Sequence, residues 1–154
     1  MALAWNEIKD RALRFSKEWE GETRERAEKD SFLNDFFKVF GKERRSVAVY
    51  EKNVKRLGKH AGFIDLFWPG TLIVEHKSAG KDLDAAFEQA TDYFHGLKEH
   101  EIPKYILVSD FQRFRLYDLE GYAEHEFKLQ DLHKNIKLFG FIAGYQKREF
   151  KEED

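Results

Sequence analysis

Three charged side chains interrupt two apolar runs in the middle of the chain. In Gly62-Phe-Ile-Asp-Leu-Phe-Trp-Pro-Gly-Thr-Leu-Ile-Val-Glu-His-Lys77, Asp65 sits inside the first run, and Glu75 and Lys77 close the second. Strand residues alternate faces at about 3.3 Å per residue, so Glu75 and Lys77 project from one side, roughly 6.6 Å apart at their Cα atoms, and His76 from the other. Two converging carboxylates raise each other's pKa unless a cation sits between them. Mg²⁺ suits such a place, with Mn²⁺ as a substitute: a hard cation takes one or two carboxylates and fills its remaining positions with water and phosphate oxygens. The expected metal ligands are Asp65, Glu75 and His76, the last through its carbonyl. A metal so held lowers the pKa of bound water and polarises a phosphate, which points to phosphodiester hydrolysis. Lys77 could orient or deprotonate the water, or stabilise charge on the phosphoryl group, and the residue types do not choose among these.

The turn at Pro69-Gly70 decides whether these groups meet. With a two-residue loop Asp65 opposes Val74 and Glu75 faces away; with a three-residue loop, 69–71, Asp65 opposes Glu75 directly. The odd loop, or a bulge of equal effect, is the expectation. Asp and Glu beside Lys also occur on solvated sheet edges that do nothing. Here the charges interrupt apolar strands, where unpaired burial is costly, and one helix later Gln89 and Tyr93 share a helical edge at i, i+4 beside the apolar stripe. Such an edge can look into a cleft beside the sheet.

The elements that must position these residues follow from periodicity. Trp5, Ile8, Ala12, Phe15 and Trp19 form one helical stripe. Residues 20–30 are almost all charged and read as a solvated helix end or loop. Phe32, Leu33, Phe36, Phe37 and Phe40 predict a second short helix, stopped by Gly41. Strand patterns run from Arg45, through 63–68 and through 71–77. A helix over 82–97 carries Leu83, Ala86, Phe87, Ala90, Phe94 and Leu97, with Asp82 as its N-cap. Residues 105–108 and 114–117 read as two further strands, 129–139 as a last helix and 146–154 as a charged tail. The order is helices, then β-β-β-α-β-β, then a helix. The reading is one α/β domain over 1–154: N-terminal helices in 1–41, the sheet and its helix in 45–118, and a C-terminal helix with the start of a linker in 128–154.

Composition bounds the function. The chain has 154 residues, enough for one core, and 15 Phe argue against disorder. Its 27 Lys+Arg against 29 Asp+Glu leave a net charge of −2, so any nucleic-acid contact must come from local patches. It has no cysteine, which excludes disulfides, thiolate metal sites and a thiol nucleophile. The start lacks the apolar core of a signal peptide and no segment is apolar enough to span a membrane, so a cytoplasmic protein is expected.

Asp65, Glu75-His-Lys77 and Gln89-Ala-Thr-Asp-Tyr93 resemble the PD-(D/E)xK nuclease superfamily, the last segment matching the Q-x-x-x-Y helix of its RecB-like members. The likeness goes further. Phe63-Ile-Asp-Leu-Phe-Trp-Pro-Gly70, Lys77-Ser-Ala-Gly-Lys-Asp-Leu83, Gln89-Ala-Thr-Asp-Tyr-Phe94, Ser109-Asp-Phe-Gln-Arg-Phe-Arg115 and Phe139-Gly-Phe-Ile-Ala-Gly-Tyr-Gln146 are similar to the N-terminal cleavage domain of MmeI-like (Type IIL/IIG) restriction-modification enzymes. The resemblance implies a restriction-endonuclease-like fold, a mixed β-sheet flanked by helices, and Mg²⁺-dependent cleavage of double-stranded DNA with Asp65, Glu75 and Lys77 as catalytic residues and Gln89, Tyr93 and Glu51 in support.

In that family a helical spacer, an adenine methyltransferase and a target-recognition domain follow in the same polypeptide. No N-P-P-[FYW] segment or S-adenosylmethionine loop is found here, so the resemblance implies a domain cut from a larger protein, with S-adenosylmethionine used only by absent parts and a second copy needed to cut both strands. The superfamily often adds an early acidic residue to the metal shell. Glu51 is favoured for that place over Asp35 and Glu22. His60 and His76 are candidates for phosphate contact, and Lys52, Lys55, Arg56, Lys59 and Lys81 for the DNA path, though all of these also read as ordinary surface residues. The roles of Arg113 and Arg115 are open. Two other readings compete: a non-catalytic DNA-binding or assembly module keeping the fold, and a repair or junction-resolving nuclease.

Overall fold

The computed structural model describes residues 2–55 and 61–146. The chain opens with two helices, α1 (Trp5–Glu18) and α2 (Glu25–Val39). α1 buries Ile8, Ala12 and Phe15, the stripe read from the sequence. α2 begins well before its Phe stripe, because the charged run 25–30 is itself helical. Glu, Arg, Ala and Lys are good helix formers, and one solvated side does not prevent the turn from closing. Gly41, at φ +76°, ends this segment, and its N–H donates to the Lys38 carbonyl at 3.0 Å.

Three strands follow, β1 (Val49–Lys55), β2 (Ala61–Trp68) and β3 (Leu72–His76), then the crossover helix α3 (Leu83–Asp92) and strands β4 (Tyr105–Ser109), β5 (Arg113–Asp118) and β6 (Ala123–Lys128). They form one six-stranded sheet in the order β1-β2-β3-β4-β5-β6. Every neighbouring pair is antiparallel except β3 and β4, which run parallel because α3 carries the chain back across the sheet. Asp82 caps α3, its carboxylate accepting from the N–H groups of Asp84 and Ala85.

Three expectations need correction. The first strand starts at Val49, since Arg44–Ser46 close a 3₁₀ turn. A sixth strand, β6, exists where none was read. It is an edge strand with only Phe127 buried, so apolar alternation is absent. In place of a C-terminal helix the chain makes 3₁₀ turns at Leu129–Lys134 and Ile136–Phe139 and one α-turn, α4 (Gly140–Ala143). Its apolar residues Leu129, Leu132, Ile136, Phe139 and Ile142 recur nearly every third position, which suits the tighter helix.

The sheet separates two packed layers. Phe15, Trp19, Phe32, Phe36 and Phe40 from the N-terminal helices meet Leu66, Val74, Leu107, Phe114 and the C-terminal turns on one face. Leu83, Ala86 and Ala90 of α3 pack on Ile73, Ile106 and Val108 on the other. Among the described residues no helix is long and apolar enough to cross a membrane.

Candidate active site

The β2–β3 ladder pairs Trp68 with Leu72, Phe67 with Ile73 and Leu66 with Val74, which leaves 69–71 as a three-residue loop and sets Asp65 level with Glu75. At that level the ladder stops and side chains take over the backbone donors. The Asp65 N–H donates to Glu75 Oε2 at 3.1 Å, and the His76 N–H donates to Asp65 Oδ2 at 2.8 Å. On the other side of β2, pairs Tyr50–Leu66 and Lys52–Ile64 bracket Glu51 and Asp65, so these two are also level. Glu51 has φ +53°, a left-handed conformation that a glutamate adopts only where its surroundings hold it there. Three acids thus lie at one level across three strands.

Burial is uneven along this row. Glu75 is fully buried and its Oε1 has no hydrogen-bond partner. Burial first, and then the neighbouring charge of Asp65, pushes the Glu75 carboxyl up to about 8. Burial also raises Asp65, opposed by the His76 N–H and by Lys29. Lys29 of α2 bridges the row: its Nζ donates to Glu51 Oε1 at 2.8 Å and to Asp65 Oδ1 at 3.2 Å. Burial works against that ammonium, but its hydrogen bond to Glu51 and the charge of Asp65 outweigh it and hold Lys29 protonated above the ordinary lysine range.

Lys77 is reached from the opposite layer. Its Nζ donates to Gln89 Oε1 at 2.8 Å, Gln89 Nε2 donates to the Tyr93 hydroxyl at 3.1 Å, and that hydroxyl donates to the Phe63 carbonyl at 2.7 Å. A relay of side chains therefore ties β3 to α3 and back to β2. His76 turns its imidazole away from the acids and packs it against Phe111 and Phe32, with ring centroids 4.3 and 5.2 Å apart. Neither ring nitrogen has a partner, and burial, followed by the charge of Lys29, lowers its pKa to about 3. As a metal ligand His76 has only its carbonyl to offer, and its imidazole cannot reach a phosphate from inside the Phe cluster.

Other candidates lie elsewhere. Asp35 accepts the Trp19 indole N–H at 3.1 Å, and Glu22 pairs with Arg24. The Lys52 ammonium lies 5.9 Å from the Phe67 ring centroid. His60, Arg56 and Lys59 are outside the described residues, as is the Lys55 side chain. Arg115 is committed to Asp84, Glu126 and the Tyr117 hydroxyl. Arg113 pairs with Asp110 and donates to the Lys81 carbonyl at 2.8 Å.

Two residues that matter here were not read from the sequence. Lys29 was hidden in a charged run without apolar periodicity. Asp110 lies in the connection between two strand patterns, yet it is buried and gathers the N–H groups of Gly80, Gln112 and Arg113 at 2.8–3.2 Å. It thereby holds the loop that follows Lys77. Among the described residues no three His, Asp or Glu side chains gather closely enough to enclose a metal unaided, so a cation here would rest on Asp65 and Glu75 and complete its shell from solvent and substrate.

The mixed sheet, with its α3 crossover between two parallel central strands and helices on both faces, is a restriction-endonuclease-like fold. The same fold is found in a chain of a DrdV–DNA complex solved by cryo-electron microscopy, with a TM-score of 0.54 and 13% identity over 92% of this chain and 14% of that one. No curated protein matches the sequence. The chain belongs to the MmeI N-terminal domain family, whose pattern it matches over residues 10–154.

Proposed function

We propose that this domain is the endonuclease part of a restriction-modification protein and hydrolyses DNA phosphodiesters with Mg²⁺. The observation that carries the reading is the unpartnered Oε1 of the fully buried Glu75, level with Asp65 at the point where two strands part. A buried carboxylate oxygen without a donor is costly, and a cation shared with Asp65 removes that cost. Asp65 and Glu75 would hold the metal, with the His76 carbonyl beside them. When bound, Mg²⁺ supplies Lewis-acid polarisation of the phosphate and a lowered pKa for its water.

The protein's own groups do the positioning. An ammonium has three donors, and Gln89 takes one from Lys77. The remaining donors can face a non-bridging phosphate oxygen and the attacking water. The Tyr93 and Gln89 relay fixes that ammonium, so little side-chain freedom is lost on reaction. The similarity to a chain solved on DNA supports DNA as the ligand. Membership in the MmeI N-terminal domain family supports a place near the start of a longer polypeptide, and the sequence resemblance implies methyltransferase and recognition parts there and a second copy for double-strand cleavage.

The test uses the full-length polypeptide. Asp65→Ala and Lys77→Ala should lower cleavage by about 10²-fold or more with DNA binding retained. Unchanged cutting by either variant refutes the role given to that residue. Calorimetric titration of Mg²⁺ should show a site in the wild type that Asp65→Ala lacks.

A further inference from the structure

Lys29 is a partly buried cation for which the hydrolytic scheme above has no task. It comes from the second turn of α2, its side chain is only 12% exposed, and it contacts two acids on two different strands. The backbone donors around it choose particular oxygens. Asp65 Oδ2 receives the His76 N–H and Glu75 Oε2 receives the Asp65 N–H. Asp65 Oδ1 and Glu75 Oε1 take no backbone N–H and are the oxygens left most open to a metal, and Asp65 Oδ1 is the one Lys29 holds.

We propose that Lys29 is a resident counter-cation, and that a divalent metal enters this site by exchange, displacing the ammonium from Asp65. The inference rests on the metal-dependent reading. A doubly charged ion on Asp65 Oδ1 and an ammonium on the same oxygen repel each other at a few ångströms, in a partly buried place where screening is weak. The displaced ammonium has somewhere to go. Glu51 is about half exposed and already accepts its shorter hydrogen bond, so a small swing toward Glu51 frees Asp65. The unusual backbone of Glu51 then has a purpose, since it aims this side chain at Lys29 from the adjacent strand.

Titration of Mn²⁺, followed by electron paramagnetic resonance of the free ion, tests this on the wild type, Lys29→Met and Lys29→Arg. Exchange predicts that Lys29→Met binds Mn²⁺ about tenfold tighter or more, since each 1.4 kcal/mol of relieved repulsion is tenfold. Lys29→Arg keeps the charge and should stay near wild type. In EDTA the Met variant should melt below wild type, and saturating Mn²⁺ should close the gap by replacing the lost cation. Equal or weaker binding by Lys29→Met overturns the proposal, as does equal tightening by Lys29→Arg. If Lys29→Met is unfolded in EDTA, Mn²⁺ must restore its fold, and failure to do so also overturns it. A wild type that binds no Mn²⁺ removes the metal reading itself. Wild-type binding that Lys29→Met leaves unchanged removes only the exchange.

Discussion

In the metal-free protein, stability should fall as pH rises through neutrality, and Glu75 should be the cause. Its carboxyl titrates near 8 when folded, against an ordinary value of 4.5. Between those values the folded state binds a proton that the unfolded state has released, so stability decreases with pH at up to about 1.4 kcal/mol per unit. His76 acts in the opposite sense. Its folded pKa of about 3 lies below the ordinary 6.5, so its contribution grows as pH rises from 3 to 6.5 and is constant above. The interval from 6.5 to 8 therefore lies above the His76 contribution, and its 1.5 pH units correspond to a loss of up to about 2 kcal/mol. Asp65 is linked to Glu75, so the measured midpoint belongs to the pair. Urea unfolding in EDTA at several pH values across this interval measures the slope, with Glu75→Gln as the control that should be flat. Saturating Mg²⁺ should also flatten it, because a cation then takes the place of the proton. A wild-type slope of zero or of opposite sign, or a Glu75→Gln variant with the same slope, would falsify the reasoning.

Three further outcomes follow from single contacts. Tyr93→Phe leaves Gln89 and the Phe63 carbonyl each without one partner; about 1–2 kcal/mol of stability should be lost in urea unfolding, and cleavage by the full-length polypeptide should fall because Lys77 is less firmly held. Asp110→Ala strips a buried acceptor from three N–H groups and leaves the Arg113 guanidinium without its carboxylate, for a loss of about 3–5 kcal/mol, with Asp110→Asn losing less. His76→Leu removes the group whose depressed pKa makes acid destabilising, so the slope of its unfolding free energy against pH should be lower than that of wild type between pH 3 and 6.5. Circular dichroism at fixed urea across that interval decides the last of these.

Much of this arrangement was legible because strand parity is simple arithmetic. Counting faces from Asp65 through Pro69 to Glu75 left two registers, and charges inside apolar strands favoured the one observed. The i, i+4 spacing of Gln89 and Tyr93 likewise placed both on the edge of α3 that meets Lys77. Lys29 escaped because its reach depends on how α2 lies over β1 and β2, a tertiary fact with no local signature. Asp110 escaped because a polar residue in a short connection between two strands carries no periodic sign of burial, and its enclosure comes from tertiary packing, with Gly80 donating to it from another loop. β6 escaped because an edge strand has water on much of its surface and needs no apolar alternation.

The loop 69–71 has a different kind of importance from its neighbours. It is anchored at its sides: the Gly70 N–H donates to the Glu101 carbonyl, and the Thr71 carbonyl accepts from Lys104 and Tyr105. Gly70 has φ +74°, and a Cβ there would meet the His100 carbonyl oxygen at 3.0 Å. Insertions and deletions in surface turns are usually absorbed, because only loop-closure entropy is at stake. Here one residue more or fewer would change which face Asp65 presents to Glu75. Chain length across this turn is thus itself a functional variable, and relatives that keep the site should keep the count of residues between its two acids even where the turn's composition drifts.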